Sequence, residues 1–139
     1  MPRHLAALFF LVCSCNRGAI SGAGAAGRVV CGQAECKLAT GEICCDDYVH
    51  GPQCTTSCPI GDWLTCDGPE DCSSAEECCD SFDAAGSSTA SCIPKSAPCS
   101  AKTLCHRDAD CPAGVGCAPI NPQLYPGVGA CRESLGLDQ

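Results

Sequence analysis

Four cysteines, Cys66, Cys72, Cys78 and Cys79, crowd residues 66–80 and end in an adjacent pair. Dense cysteine serves three chemistries: metal capture, thiol exchange and disulfide stapling. The first two use C-x2-C or C-x-C spacing. Beyond Cys15 neither spacing occurs anywhere in the chain. Stapling is what remains.

Oxygen and nitrogen ligands are sparser. Asp67, Glu70 and Asp71, and separately Asp108 and Asp110, place carboxylates on turns. Calcium requires a longer, regularly spaced set of oxygens, and no loop supplies it. The bland reading of these residues is a solvated acidic turn, and no metal or cofactor is expected. His50 and His106 fall far apart in sequence, and neither has a nucleophile set beside it. Hydrolytic catalysis needs that geometry, so the sequence predicts no enzyme. Trp63, the single tryptophan, reads as a residue packed over a disulfide, with a contact anchor as the alternative.

The elements that carry these residues have little apolar material. The chain has 139 residues and 18 cysteines, a density characteristic of disulfide scaffolds. From Cys31 onward only 17 large apolar residues occur. They are too few for one sizeable core to offset the entropy of ordering the backbone. All 16 acidic residues lie in this stretch, against five basic ones (Lys37, Lys95, Lys102, Arg107, Arg132). The resulting charge excludes nucleic acid as a partner and keeps a core-poor chain soluble.

The N-terminus reads as an export signal. A basic start precedes an apolar run at residues 5–12, signal-peptide length and too short to cross a bilayer. Export places the cysteines in an oxidising compartment. "VCSC", ending at Cys15, resembles a bacterial lipobox, with Cys13 where a small or aliphatic residue is usual. That resemblance implies lipid on Cys15 as the mature N-terminus, followed by a Gly/Ala-rich tether through residue 30. The competing reading is plain secretion, with cleavage at the A-x-A of Ala23, Gly24 and Ala25. Either way an even set of cysteines is left.

That set repeats. Unit one (31–58) holds Cys31, Cys36, Cys44, Cys45, Cys54 and Cys58; unit two (66–99) holds Cys66, Cys72, Cys78, Cys79, Cys92 and Cys99. Unit three (105–131) holds only Cys105, Cys111, Cys117 and Cys131. It lacks one member of the adjacent pair and the final cysteine. Losing two cysteines that bond each other leaves no orphan, so one member of each pair is expected to bond the last cysteine of its unit. The neighbours themselves are too close to bond: adjacent α-carbons lie about 3.8 Å apart, below the disulfide range of about 4.4–6.8 Å. Aligning Cys117 with Cys78 makes Cys79 the partner of Cys99.

The order single, single, adjacent pair, single, single resembles the inhibitor cystine knot. That resemblance implies Cys31–Cys45, Cys36–Cys54, Cys44–Cys58, Cys66–Cys79, Cys72–Cys92 and Cys78–Cys99, with Cys105–Cys117 and Cys111–Cys131 in unit three. It makes Cys78, not Cys79, the partner of Cys99, and that is the pairing expected here. The C-x5-C-x5-C-C core of unit two also resembles the four-disulfide-core family, whose two leading cysteines have no counterpart in the unit. The whole chain resembles the cysteine-rich lipoproteins of bacteria.

The expected fold is small and disulfide-rich: three short tandem repeats of turns and short strands, with little or no helix outside the signal segment (1–14). "ATGEICCDD" (39–47) and "PAGVGCAP" (112–119) read as turns feeding strands. Unit boundaries are expected at Pro59 with Gly61 and at residues 100–103. The expected function is a surface-displayed binding or structural module whose partner is a protein or surface ligand, touching the membrane only through its lipid. The alternative is a secreted protease inhibitor presenting residues 46–53 or 80–91, the second loop being too rich in Gly, Ala and Ser to be rigid.

Overall fold

A computed structural model describes residues 25–132. The signal segment and Cys15 lie outside the described residues. The fold is small and disulfide-rich, built from short strands and turns, with no α-helix among the described residues. No described helix is long and apolar enough to cross a membrane.

Strands β1 (Arg28–Cys31) and β2 (Ala34–Lys37) form a two-stranded hairpin. The others are β3 (Ile43–Asp46), β4 (Pro52–Thr55), β5 (Asp62–Leu64), β6 (Glu76–Phe82), β7 (Ser88–Pro94), β8 (Lys102–Cys105), β9 (Cys117–Pro119) and β10 (Gly129–Cys131). These eight make one sheet in the order β4-β3-β5-β7-β6-β8-β10-β9. All its pairings are antiparallel except β5 with β7, where Trp63 faces Thr89 and Leu64 faces Ala90. "ATGEICCDD" forms a 3-10 turn closed at Gly41, whose left-handed backbone suits glycine, and then enters β3.

The sheet runs straight through the expected boundaries. Asp62, just past Gly61, opens β5, and residues 100–103 lead into β8, which pairs with β6 and β10. The three units share one sheet. They also share one core: Val29, Val30, Leu64, Ala90, Leu104, Tyr125, Val128 and Ala130, with the half-cystines Cys31, Cys36, Cys44, Cys66 and Cys78. This core is small, with few aliphatic residues, and leans on the bridges. Buried sulfur replaces the missing aliphatic volume, since half-cystines pack as small apolar groups. The tether ends earlier than expected too, because residues 28–30 belong to β1 and Val29 is wholly buried.

Residues 80–91 are not a flexible loop. β6 and β7 pair over their full seven residues from Glu76↔Pro94 to Phe82↔Ser88. Asp83 closes the tip by accepting the Ala85 and Ser87 N–H groups through Oδ1. A side-chain carboxylate does there what a tight Gly-rich turn would otherwise leave to water.

All sixteen cysteines of the three units are bridged. The pairs are Cys31–Cys44, Cys36–Cys54 and Cys45–Cys58; Cys66–Cys78, Cys72–Cys92 and Cys79–Cys99; Cys105–Cys117 and Cys111–Cys131. The knot-implied Cys31–Cys45, Cys44–Cys58, Cys66–Cys79 and Cys78–Cys99 do not form. Strand alternation explains why. Successive side chains of a strand point to opposite faces. In β3 and β6 the first of each pair, Cys44 and Cys78, points into the core cluster where Cys31 and Cys66 arrive. The second, Cys45 and Cys79, points to the other face and meets the last cysteine of its unit. Alignment with Cys117 identifies the right partner of Cys99, and the knot resemblance the wrong one.

Candidate functional site

Units two and three open with the same turn. In each, a 3-10 turn (Pro69–Asp71, Asp108–Asp110) spans the first two cysteines. The aspartate before the second cysteine folds back onto the residue after the first. Asp71 Oδ2 accepts the Asp67 N–H at 3.1 Å, and Asp110 Oδ2 accepts the His106 N–H at 2.9 Å. The bridges behind the turns enclose equal spans, separated by 12 and by 20 residues in both units. Asp67 and His106 are therefore equivalent positions of two copies.

Those two positions meet. His106 Nε2 lies 3.0 Å from Asp67 Oδ1 and 2.8 Å from Glu70 Oε1. The other ring nitrogen, Nδ1, lies 2.8 Å from the Gly127 carbonyl. A carbonyl only accepts, so Nδ1 carries a hydrogen and donates it. Asp67 Oδ2 in turn accepts the Val30 N–H at 2.6 Å, and Asp71 Oδ1 accepts the Gly27 N–H at 2.9 Å. The cluster thus ties units two and three to β1 of unit one. It is nearly dry: the Asp67 and His106 side chains are 1 % and 4 % exposed. Gly68 makes room for the ring, since a Cβ there would stand 2.5 Å from His106 Cδ2.

Charge follows geometry. Burial pushes the His106 ring toward neutrality, but the Asp67 and Glu70 carboxylates and the Gly127 carbonyl overcome it and raise its pKa to about 10. Burial likewise opposes ionisation of Glu70, and His106 outweighs it, holding that carboxyl below its ordinary value. Even so, Glu70 Oε1 is buried and receives no hydrogen bond. Two oxygens crowd one nitrogen, and Asp67 takes its hydrogen.

The expectation of solvated acidic turns is corrected for Asp67, which is buried. Asp71 is half-buried, and Asp110 holds the His106 turn. Asp108 stays exposed and accepts the Cys117 N–H at 2.7 Å. Sulfur trios also converge, for example Cys66, Cys72 and Cys92. Every one of those sulfurs sits in a bridge, so none is a thiolate ligand.

His50 lies elsewhere, on the loop between β3 and β4. Asp47 organises that loop, accepting the Val49 and His50 N–H groups at Oδ1 and facing His50 Nδ1 at 2.7 Å. The His50 backbone N–H and its ring, helped by Val49, hold the Asp47 carboxyl down at about 2. The loop turns at Tyr48, whose φ of 62° is uncommon for a bulky residue. Its hydroxyl donates to Asp62 Oδ1 at 2.6 Å. Beside it Val49 is 81 % and Ile60 72 % exposed. Trp63 is half-buried, in β5 opposite Cys45.

Sequence reasoning missed the joining of Asp67 to His106. The signal was present in the aligned openings "CDGPEDC" and "CHRDADC", which put opposite charge types at one position of the repeat.

No family model matches the chain, and neither a curated protein nor a solved structure shows significant similarity to it. The class is defined by the fold: a stable, disulfide-rich module of the kind found outside the cell.

Proposed function

We propose that the protein is an exported binding module, held at the cell surface by lipid on Cys15, that presents residues 46–53 and Ile60 to a protein or surface ligand. One observation carries this: Tyr48, Val49 and Ile60 are exposed on covalently braced backbone, with Val49 and Ile60 lining one surface pocket. Cys45–Cys58 and Cys36–Cys54 brace the strands on both sides of the loop. Large apolar groups held rigidly in water cost little entropy when a partner covers them. A non-catalytic role is part of this reading.

Capture from the organism's own envelope, with the oxidised chain from residue 26 as bait, tests the binding half. The Tyr48→Ser/Val49→Ser/Ile60→Ser variant should lose the captured partner while keeping all eight bridges. Equal capture by both would overturn this surface. For the anchor, the native protein should partition into detergent, and Cys15→Ser should stay uncleaved or mislocalised. A freely soluble protein beginning near Ala26 would replace the anchor with plain secretion.

A second reading, protease inhibition, draws on the same loop. It is short and rigid between bridges, as an inhibitory loop must be, whereas residues 80–91 are a paired hairpin. Stoichiometric loss of protease activity, abolished by Val49→Asp, would favour it over the first.

A further inference from the structure

We propose that Asp67, Glu70 and His106 form a binding site for one divalent transition-metal ion, with zinc the first candidate. Each offers one donor atom, and the three lie within 4.8 Å of one another. Donors held about 2.1 Å from a common ion stand about 3.0–3.4 Å apart. The spacing of 2.8 and 3.0 Å from Nε2 to the two oxygens needs only a small expansion to reach that.

Three independent features favour a metal there. First, His106 already makes the outer contact that zinc-binding histidines make: Nδ1–H donates to the Gly127 carbonyl, which leaves Nε2 as the inward-facing donor. Second, Glu70 Oε1 is buried with no hydrogen bond. The His106 ring 2.8 Å away faces it but gives its Nε2 hydrogen to Asp67, whereas a metal ion would bind both carboxylates at once. Third, zinc would displace the Nε2 proton, which leaves to solvent; that proton balances one carboxylate, whereas a divalent ion balances both. One histidine and two carboxylates suit zinc or manganese better than calcium, which takes six or more oxygens.

The site is built in advance. Its ligands ride on turns clamped by Cys66–Cys78, Cys72–Cys92, Cys105–Cys117 and Cys111–Cys131. Zinc would then join units two and three non-covalently, where no disulfide crosses between them. Entry is from the Glu70 side, whose side chain is partly exposed.

The test uses the oxidised protein, stripped with chelator and then titrated with zinc chloride alone. Calorimetry and metal analysis after gel filtration should give one zinc per chain. The His106 ring resonances should shift on binding and those of His50 should not. Glu70→Gln, which leaves the Asp67–His106 contact in place, should weaken zinc binding about tenfold or more. His106→Gln should abolish it, and His50→Gln should change nothing. If His106→Gln fails to fold, Glu70→Gln decides. Absence of retained zinc in the folded wild-type protein would overturn the proposal. Equal binding by wild type and Glu70→Gln, or loss of binding in His50→Gln, would overturn it too.

Discussion

Units two and three share one scaffold and differ where they touch. Both open with a bridged turn closed by an aspartate, and both carry bridges of the same two spans. Unit two adds Cys79–Cys99 on the outer face and a long β6–β7 hairpin. Unit three has neither. Its chain between Cys117 and Cys131 instead turns inward, placing Tyr125 and Val128 in the common core. Leu124 accepts the Gly32 N–H of unit one through its carbonyl. The difference teaches that the lost bridge was replaceable. An outer disulfide restrains one unit, whereas the inward loop and the Asp67–His106 contact bind three units into one body.

If that is right, the largest effect should come from His106. In metal-free protein, His106→Ala strands the buried Asp67 carboxylate, and breaking a buried pair on one side costs about 3–5 kcal/mol. Denaturant unfolding with the bridges intact measures it. His50→Ala, on an exposed loop, should be indistinguishable from wild type. Equal behaviour of the two variants would break the comparison at its centre.

The outer bridge should matter less. Cys79→Ser/Cys99→Ser copies what unit three already lacks. It should fold with no free thiol and lose about 3 kcal/mol, the entropy of the released loop. Cys78→Ser/Cys99→Ser instead deprives Cys66 and Cys79 of their partners. Mass after alkylation without reduction should show two free thiols in that variant alone.

The smallest effect sharpens the comparison inside the shared turn, again in metal-free protein. Asp71 and Asp110 occupy the same position but titrate in opposite directions. Burial, joined by the nearby Asp67 charge, raises Asp71 to about 6 despite the N–H groups it accepts. Asp110 is also partly buried, but the His106 and Arg107 N–H groups and the Arg107 charge hold it below its ordinary value. A raised carboxyl makes the fold lose stability as pH climbs from 3.8 toward 6; a lowered one makes it gain over the ordinary carboxylate range. Relative to wild type, Asp71→Asn should therefore improve between pH 4 and 7, whereas Asp110→Asn should stay level over that range and gain on wild type only as pH falls below about 4. Melting temperatures across both ranges test this, and parallel slopes would show the two turns to be electrostatically alike.

Much of this scaffold was legible. The even cysteine count, the five-residue gaps and the aspartate before each second cysteine mark the repeats and their bridged turns without any fold in view. Pairing within the adjacent cysteines was readable in part. The absence of two cysteines from unit three shows that one member bonds the last cysteine, and alignment with Cys117 selects Cys79. The knot resemblance pointed to Cys78 because a consensus order of cysteines carries no strand direction. Only with Cys44 and Cys78 placed in β3 and β6 does alternation decide which sulfur faces the core. The hairpin at residues 80–91 was missed for a related reason. Gly, Ala and Ser weaken a strand locally, but Asp83 and seven cross-strand pairs override that composition.

By itself, then, the sequence determined the covalent economy of this protein: oxidised cysteines in place of aliphatic bulk, an acidic surface, and turns and strands in repeating units. Those properties are local or compositional, and residue type and spacing suffice for them. The tertiary structure alone decided that the units fuse into one sheet, that Tyr125 fills a core shared by all three, and that Asp67 meets His106. These contacts join residues far apart in the chain, 39 positions in the last case. No short-range pattern encodes them, because their energy exists only once burial removes water from both partners.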